Sequence, residues 1–180
     1  PTAPPGDRPH RRSNRRRIAA TRLIDFTRPT LIVLAAGRGT RFGNQPKCIQ
    51  PVAGTPIARH AIDGFAVTPD SPVTYASTGS HATTICVVGH KWDTVVDALG
   101  SDPIYVKSDN PVGGTAYATY EALSVPGLLD ANPIVVITMG DRIVPPATFR
   151  TLLNVHTGRG STTAAVGGHI GADFHPGRTE

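Results

Sequence analysis

Between Gly37 and Lys47 the chain concentrates residue types suited to holding phosphate: Gly37, Gly39 and Thr40, then Arg41 and Lys47 six residues apart. Glycines let a backbone turn tightly and leave its N–H groups open to an anion. An N–H-lined loop flanked by Arg and Lys is the chemical description of a polyphosphate site. Far along the chain, Gly140-Asp141 delivers a single carboxylate directly after an apolar run. Phosphoryl-transfer sites use one or two such carboxylates to hold Mg2+, with phosphates and water completing the octahedron. Between the two, Gly113-Gly114-Thr115-Ala116 puts a glycine pair ahead of a helical stretch. Gly114 would let a flat ligand approach closely, and Thr115 is placed to cap the helix. Each piece alone has an ordinary explanation as a turn. The glycine loop with its two cations reads as a nucleotide pocket, and the other two pieces stay open between a turn and a ligand contact.

The elements that must position these residues follow from periodicity. Leu31-Ile32-Val33-Leu34 is an apolar, β-branched run of the length of a buried strand, and the phosphate-type loop leaves its end. Further strands are expected over 84–88, 104–106 and 134–138, with helices over 56–66, 93–99 and 115–124. Thr55-Pro56 reads as an N-cap with Pro in the first helical turn. Residues 68–84 read as a loop. Such alternation implies an α/β fold with a mostly parallel sheet and helices on both faces. Ligands in such sheets sit beyond the carboxyl ends of the strands, so the loop after Leu34 and the loop after Met139 should face one crevice.

The spacing excludes two familiar glycine loops. In a dinucleotide fingerprint the third glycine would come one residue before Gly43, and the nearest acid for a ribose is Asp63. A P-loop would need Lys-Ser/Thr where Asn44 and Gln45 stand. Leu34-Ala35-Ala36-Gly37-Arg38-Gly39-Thr40-Arg41, followed by Pro46-Lys47, instead resembles the signature of the sugar-phosphate nucleotidyltransferases. The resemblance is closest to the uridylyltransferase domain that makes UDP-N-acetylglucosamine. Val87-Val88-Gly89-His90, Gly114-Thr115-Ala116 and Gly140-Asp141 with Val144-Pro145 look like that family's landmarks in order, over residues 31 to 157.

The resemblance implies a Rossmann-like three-layer α/β/α nucleotidyltransferase fold. It implies nucleotide contacts from Leu34, Ala35, Ala36, Gly37, Gly39, Thr40 and Gly140, and from Gly114 and Thr115 at the base. It gives catalytic roles to Arg41, on the departing β,γ-phosphates, and to Lys47, on the α-phosphate. Asp141 would hold Mg2+. The reaction implied is nucleotidyl transfer from an NTP, UTP first, to a sugar 1-phosphate. Cytidylyl or guanylyl transfer to methylerythritol phosphate or molybdopterin, and a non-catalytic sugar-nucleotide-binding module, stand as alternatives.

Three departures bear on that choice. The Arg41-to-Lys47 interval is one residue shorter than in the uridylyltransferases and nearer that of the molybdopterin enzymes. Asp109 stands where the family commonly has a base-reading Gln, and a carboxylate only accepts hydrogen bonds. That leaves guanine, with its N–H donors, open. The family's sugar-contacting segments and second metal ligand lie beyond the reach of these 180 residues, so the stretch is expected to be the nucleotide half of a longer enzyme, or a truncated copy.

Length and composition are those of one globular domain, and no apolar run approaches the roughly 18 residues that span a bilayer. The net charge of +5 is local. Residues 1–28 carry eight arginines against Asp7 and Asp25, a net of +6, which leaves ten basic and eleven acidic groups beyond. Residues 1–29 therefore read as a basic, Pro/Arg-rich, disordered tail, with a short helix from Ser13 to Phe26 the one element considered, and 30–180 as the domain. Neither a nucleic-acid nor a membrane partner is expected; a homo-oligomer or a further C-terminal domain is. The seven histidines form no metal-ligand spacing, and His90 reads as a loop residue without a ligand role. Cys48 and Cys86 lack CxxC spacing, which suits a reduced, cytoplasmic protein with Cys86 as a small buried hydrophobe.

Overall fold

The computed structural model describes residues 24, 26, 28–66, 82–110, 113–131 and 134–158. The basic tail with its expected helix, most of the 68–84 loop and the glycine-rich stretch beyond Gly158 lie outside the described residues.

Four strands form one parallel sheet: β1 (Thr30–Ala35), β4 (Thr83–Val88), β5 (Ile104–Lys107) and β6 (Val135–Met139), in the order β5-β4-β1-β6. In β1 every residue is buried, as an apolar strand covered on both faces requires. Its side chains alternate. Leu31, Val33 and Ala35 join one apolar cluster; Ile32 and Leu34 join the other. The register sets Val33 beside Cys86 and Leu34 beside Met139, so the same alternation runs across the neighbouring strands.

The helices α1 (Ile57–Ala66), α2 (Trp92–Leu99) and α4 (Pro146–Gly158) pack on the Val33 face, through Phe65, Val95 and Phe149. On the Leu34 face, α3 (Gly114–Leu123) packs through Ala118 and Ala122. This gives three layers, α/β/α. The chain steps from β1 to β4 to β5 with helices on one face, then returns by α3 on the other face to β6, across β1. Right-handed crossovers demand that exchange of faces when the direction of winding reverses. The reversal opens a crevice between the ends of β1 and β6.

Local packing follows from spacing. Ala58, Ala61, Ile62 and Phe65 recur at helical intervals on α1, and Phe65 meets Phe149 edge to face, with ring centroids 5.3 Å apart at 80°. The expected N-cap at Thr55-Pro56 is not formed. Those residues make β3 (Thr55–Pro56), paired antiparallel with β2 (Pro51–Val52). Ala53 and Gly54 between them both have positive φ, 50° and 81°, the signature of a two-residue hairpin turn. The helix starts at Ile57, whose N–H is taken by the Gln50 carbonyl at 3.0 Å. Thr115 likewise is not the cap of α3: the helix begins one residue earlier, at Gly114, with Gly113 in the cap position and no side-chain cap bond.

Candidate active site

The loop that leaves β1 is held by three glycines, each for a different steric reason. Gly140 donates its N–H to the Leu34 carbonyl at 2.9 Å, and a Cβ there would lie 3.1 Å from that oxygen and from Ala35 Cβ. Gly89, ending β4, approaches so closely that a Cβ would lie 2.7 Å from the Ala36 carbonyl oxygen. The tips of β4, β1 and β6 are thus drawn together. Gly39, at φ +61°, sits directly against the Gln45 carbonyl, so a Cβ would overlap it. Residues 39 to 45 close into a compact ring. Thr40–Phe42 form a single 3-10 turn, and Phe42 N–H reaches the Gly39 carbonyl at 2.7 Å.

Pro46 is fully buried and is followed by a second 3-10 turn, Lys47–Ile49. Lys47 is half-buried, between Pro46 and the buried Cys48, so its backbone is anchored on both sides. The Cys48 thiol lies 4.0 Å from the Ala35 carbonyl, within a weak S–H hydrogen bond.

A cleft of about 310 Å³ opens above these tips, lined by Leu34, Ala35, Gly37, Gly39, Thr40, Lys47, Cys48, Met139, Gly140 and Asp141. It lies at the reversal between β1 and β6. The Gly37 position faces open space, so the absence of a side chain there widens the cleft. Its polar walls bring an ammonium, a carboxylate and glycine backbone to one concavity, a combination that can bind a polyanion together with a cation. Burial pushes the Cys48 thiol up to about 11, with the charge of Asp141 adding to the rise. The thiol is therefore protonated near neutrality and is no nucleophile.

Other expected residues stand apart from this cleft. Ala36 is half-buried and packs toward the α3 side of the sheet. The backbone of Arg41 lies in the Thr40–Phe42 turn at the rim, and its side chain lies outside the described residues. Gly114, at φ +68°, and Thr115 are exposed at the start of α3, and neither lines the cleft. Asp109 is exposed, and its backbone N–H donates to Glu121 Oε1 at 3.2 Å. The other oxygen of Glu121 is buried with no hydrogen-bond partner among the described residues.

Sequence reasoning passed over three residues. Cys48 and Met139 line the cleft, and both were findable: one follows the loop lysine, the other ends the strand that delivers Gly140-Asp141. The third is His90, which does not line the cleft but bonds through Nε2 to the Asn44 carbonyl at 3.1 Å. No linear signal pairs positions 46 residues apart.

Comparison with known proteins agrees with this architecture. The bifunctional protein GlmU of Cupriavidus pinatubonensis is 33% identical over 137 residues, 76% of this chain and 27% of the relative. The GlmU of Thermus thermophilus is 34% identical over 125 residues, 68% and 24% respectively. The chain thus spans about a quarter of the length of these curated relatives. Among solved structures, Rv0371c of Mycobacterium tuberculosis H37Rv shares the fold with a TM-score of 0.50 at 24% identity, over 72% of this chain and 61% of that one. Its homologue from Mycobacterium sp. strain JC1 gives 0.52 at 21% identity, over 73% and 61%. Residues 31–176 match the MobA-like NTP transferase domain. The chain belongs to that family and is a nucleotidyltransferase domain.

Proposed function

We propose that this domain transfers a nucleotidyl group from an NTP to a sugar 1-phosphate and releases pyrophosphate. One observation carries the reading: the glycine loop, Lys47 and Asp141, distant in sequence, line one cleft at the switch point of the sheet. In the step itself, an oxygen of the acceptor phosphate forms a bond to the α-phosphorus. The bond from that phosphorus to the α,β-bridging oxygen breaks, and pyrophosphate leaves with the electron pair. The nucleophile is already an anion near neutral pH, so the chain needs no general base. Its contribution is positioning and charge neutralisation.

Lys47 neutralises charge on the α-phosphate, and Arg41 takes the departing β,γ-phosphates. Gly37, Gly39 and Thr40 offer backbone to the phosphates, and Leu34, Ala35, Ala36 and Gly140 support the nucleoside. Gly114, Thr115 and Asp109 belong to the base end of this reading. Asp141 is exposed on the cleft wall, and no cluster of three metal-ligating side chains occurs among the described residues. That donor set suits a hard ion such as Mg2+ that takes its remaining oxygens from phosphates and water, rather than a protein-caged ion. Such an ion, when bound, supplies charge neutralisation and alignment to the triphosphate.

UTP and an N-acetylglucosamine-type acceptor are the first substrates in this reading, by analogy with the GlmU relatives. Asp109 supports a second choice, GTP, because an acceptor carboxylate suits the adjacent N–H donors of guanine. Cytoplasmic residence goes with two free thiols. Thermal melting with UTP, GTP, CTP and ATP, each with and without Mg2+, tests the nucleotide and metal part of this reading. A ligand at 100 times its Kd adds about 2.7 kcal/mol. A Mg2+-dependent shift with one base supports the reading and names the base; no shift with any of the four refutes it.

A further inference from the structure

We propose that His90 is a positioning residue for the phosphate loop: by holding the Asn44 carbonyl, it sets where the exposed arm that carries the Arg41 backbone stands relative to the triphosphate. The inference rests on the transfer reaction proposed above, but its structural half can be tested without turnover.

The loop needs outside support. Phe42, Gly43, Asn44 and Gln45 are all exposed, so burial does not determine their conformation. Internal bonding holds the Thr40–Phe42 turn, where Phe42 N–H meets the Gly39 carbonyl at 2.7 Å, but is weak beyond it. Gln45 N–H reaches the Phe42 carbonyl only at 3.3 Å, and the loop passes through three left-handed positions, Gly39, Gly43 and Asn44. Asn44, at φ 56°, is left-handed, a conformation Asn tolerates better than most non-glycine residues. Arg41 lies on this exposed arm and Lys47 at its end. Ring closure fixes the shape of the arm, but its placement over the sheet needs a tie to something rigid.

The turn after β4 provides the tie. His90 Nε2 lies 3.1 Å from the Asn44 carbonyl, and Lys91 Nζ donates to Gln45 Oε1 at 3.2 Å. A carbonyl only accepts, so the bond requires a proton on Nε2. The turn is itself fixed to the sheet. Gly89 is pressed against Ala36, and Lys91, at φ 51°, occupies the cap position of α2. Two non-glycine left-handed residues, Asn44 and Lys91, therefore flank the bond between the two turns. At Lys91, unlike Asn44, that conformation is strained, and such strain persists where surrounding contacts over-determine it. Anchoring the arm to β4 transmits the rigidity of the buried sheet to the turn that carries Arg41, while Lys47 is held separately by the buried Pro46 and Cys48.

The test compares the wild-type chain with His90→Ala and His90→Gln, the latter keeping an N–H donor. Amide exchange comes first. His90→Ala should speed exchange at Gln45 and Phe42 while leaving the amides of β1 unchanged, and His90→Gln should restore protection. Equal loop exchange in wild type and His90→Ala overturns the tie whatever the reaction. In turnover with the NTP identified by melting, His90→Ala should lower kcat by up to about 10²-fold, the scale of a misplacement of about 1 Å. KM for the nucleotide should change little, and His90→Gln should recover most of the loss. Altered exchange with unchanged kcat overturns the positioning role alone. Absent turnover in wild type overturns the proposed reaction and leaves the exchange result to decide the tie.

Discussion

Gly39 and Gly43 share one backbone conformation but face different surroundings, so substituting each by Ala separates strain from collision. Both have positive φ, +61° and +65°. For Ala the left-handed region costs about 1–2 kcal/mol, while stiffening of the unfolded chain returns about 0.4–1 kcal/mol. At Gly43 nothing lies within 4 Å of the new Cβ, so Gly43→Ala should cost a net of about 1 kcal/mol, at most about 1.6 kcal/mol. That corresponds to about 2–4 °C in Tm for a chain of this size. At Gly39 the new Cβ overlaps the Gln45 carbonyl oxygen, which is backbone and cannot rotate away. The ring from 39 to 45 must open, and the cleft wall formed by Gly39 and Thr40 goes with it. Gly39→Ala should therefore abolish the nucleotide-dependent melting shift, whereas Gly43→Ala should keep it. The assay is melting of wild type and both variants with and without the preferred NTP and Mg2+. If both variants keep the shift equally, closure of the ring is not what shapes the site, and the steric argument fails.

Lys47→Ala should lower turnover by about 10²–10³-fold with little change in nucleotide affinity; steady-state kinetics showing equal kcat and weaker KM would refute its role on the α-phosphate. Asp141→Asn should remove the Mg2+ dependence of the melting shift. It should also lower the Cys48 thiol pKa below about 11, because the Asp141 charge helps burial to raise it, and so speed alkylation at alkaline pH. Stability should fall as pH rises above about 9. Burial raises Cys48 from 9.0 to about 11 and Cys86 from 9.0 to about 12, so the folded state keeps protons that the unfolded chain has released, and the unfolded state gains. Urea melts across that range should show a shallower decline for Cys86→Ala, and a parallel decline would count against burial as the cause. Phe65→Ala, which removes one ring of the pair with Phe149, should cost about 3–5 kcal/mol in the same melts.

What the linear chain carried was periodicity and local chemistry. The apolar runs at 31–34, 84–88, 104–106 and 134–138 became strands within a residue of where the pattern ended; β1 and β4 are buried on both faces and so must be apolar throughout, whereas β5 and β6 are only part-buried. Alternation with helices was enough for a parallel sheet, and the ligand edge followed from topology. The glycine loop and the Gly-Asp pair stood out because few residue types can do their work. Failures came where a local signal met a stronger neighbour. Thr55-Pro56 has the composition of a helix start, yet the left-handed pair Ala53-Gly54 turned it into a hairpin strand. Thr115 could have capped α3, but the glycine before it already turned into the helix.

Only the tertiary structure decided which residues meet. The strand order β5-β4-β1-β6 set β6 beside β1 and so brought Asp141 into the cleft that Lys47 also lines. Gly89 against Ala36, and His90 against Asn44, are contacts between positions that no spacing rule connects. They depend on the register of β4 beside β1 and on the depth to which each chain is buried. Chemistry of single residues is local and can be read in order along the chain, whereas the shape of a cleft depends on packing between segments far apart in sequence.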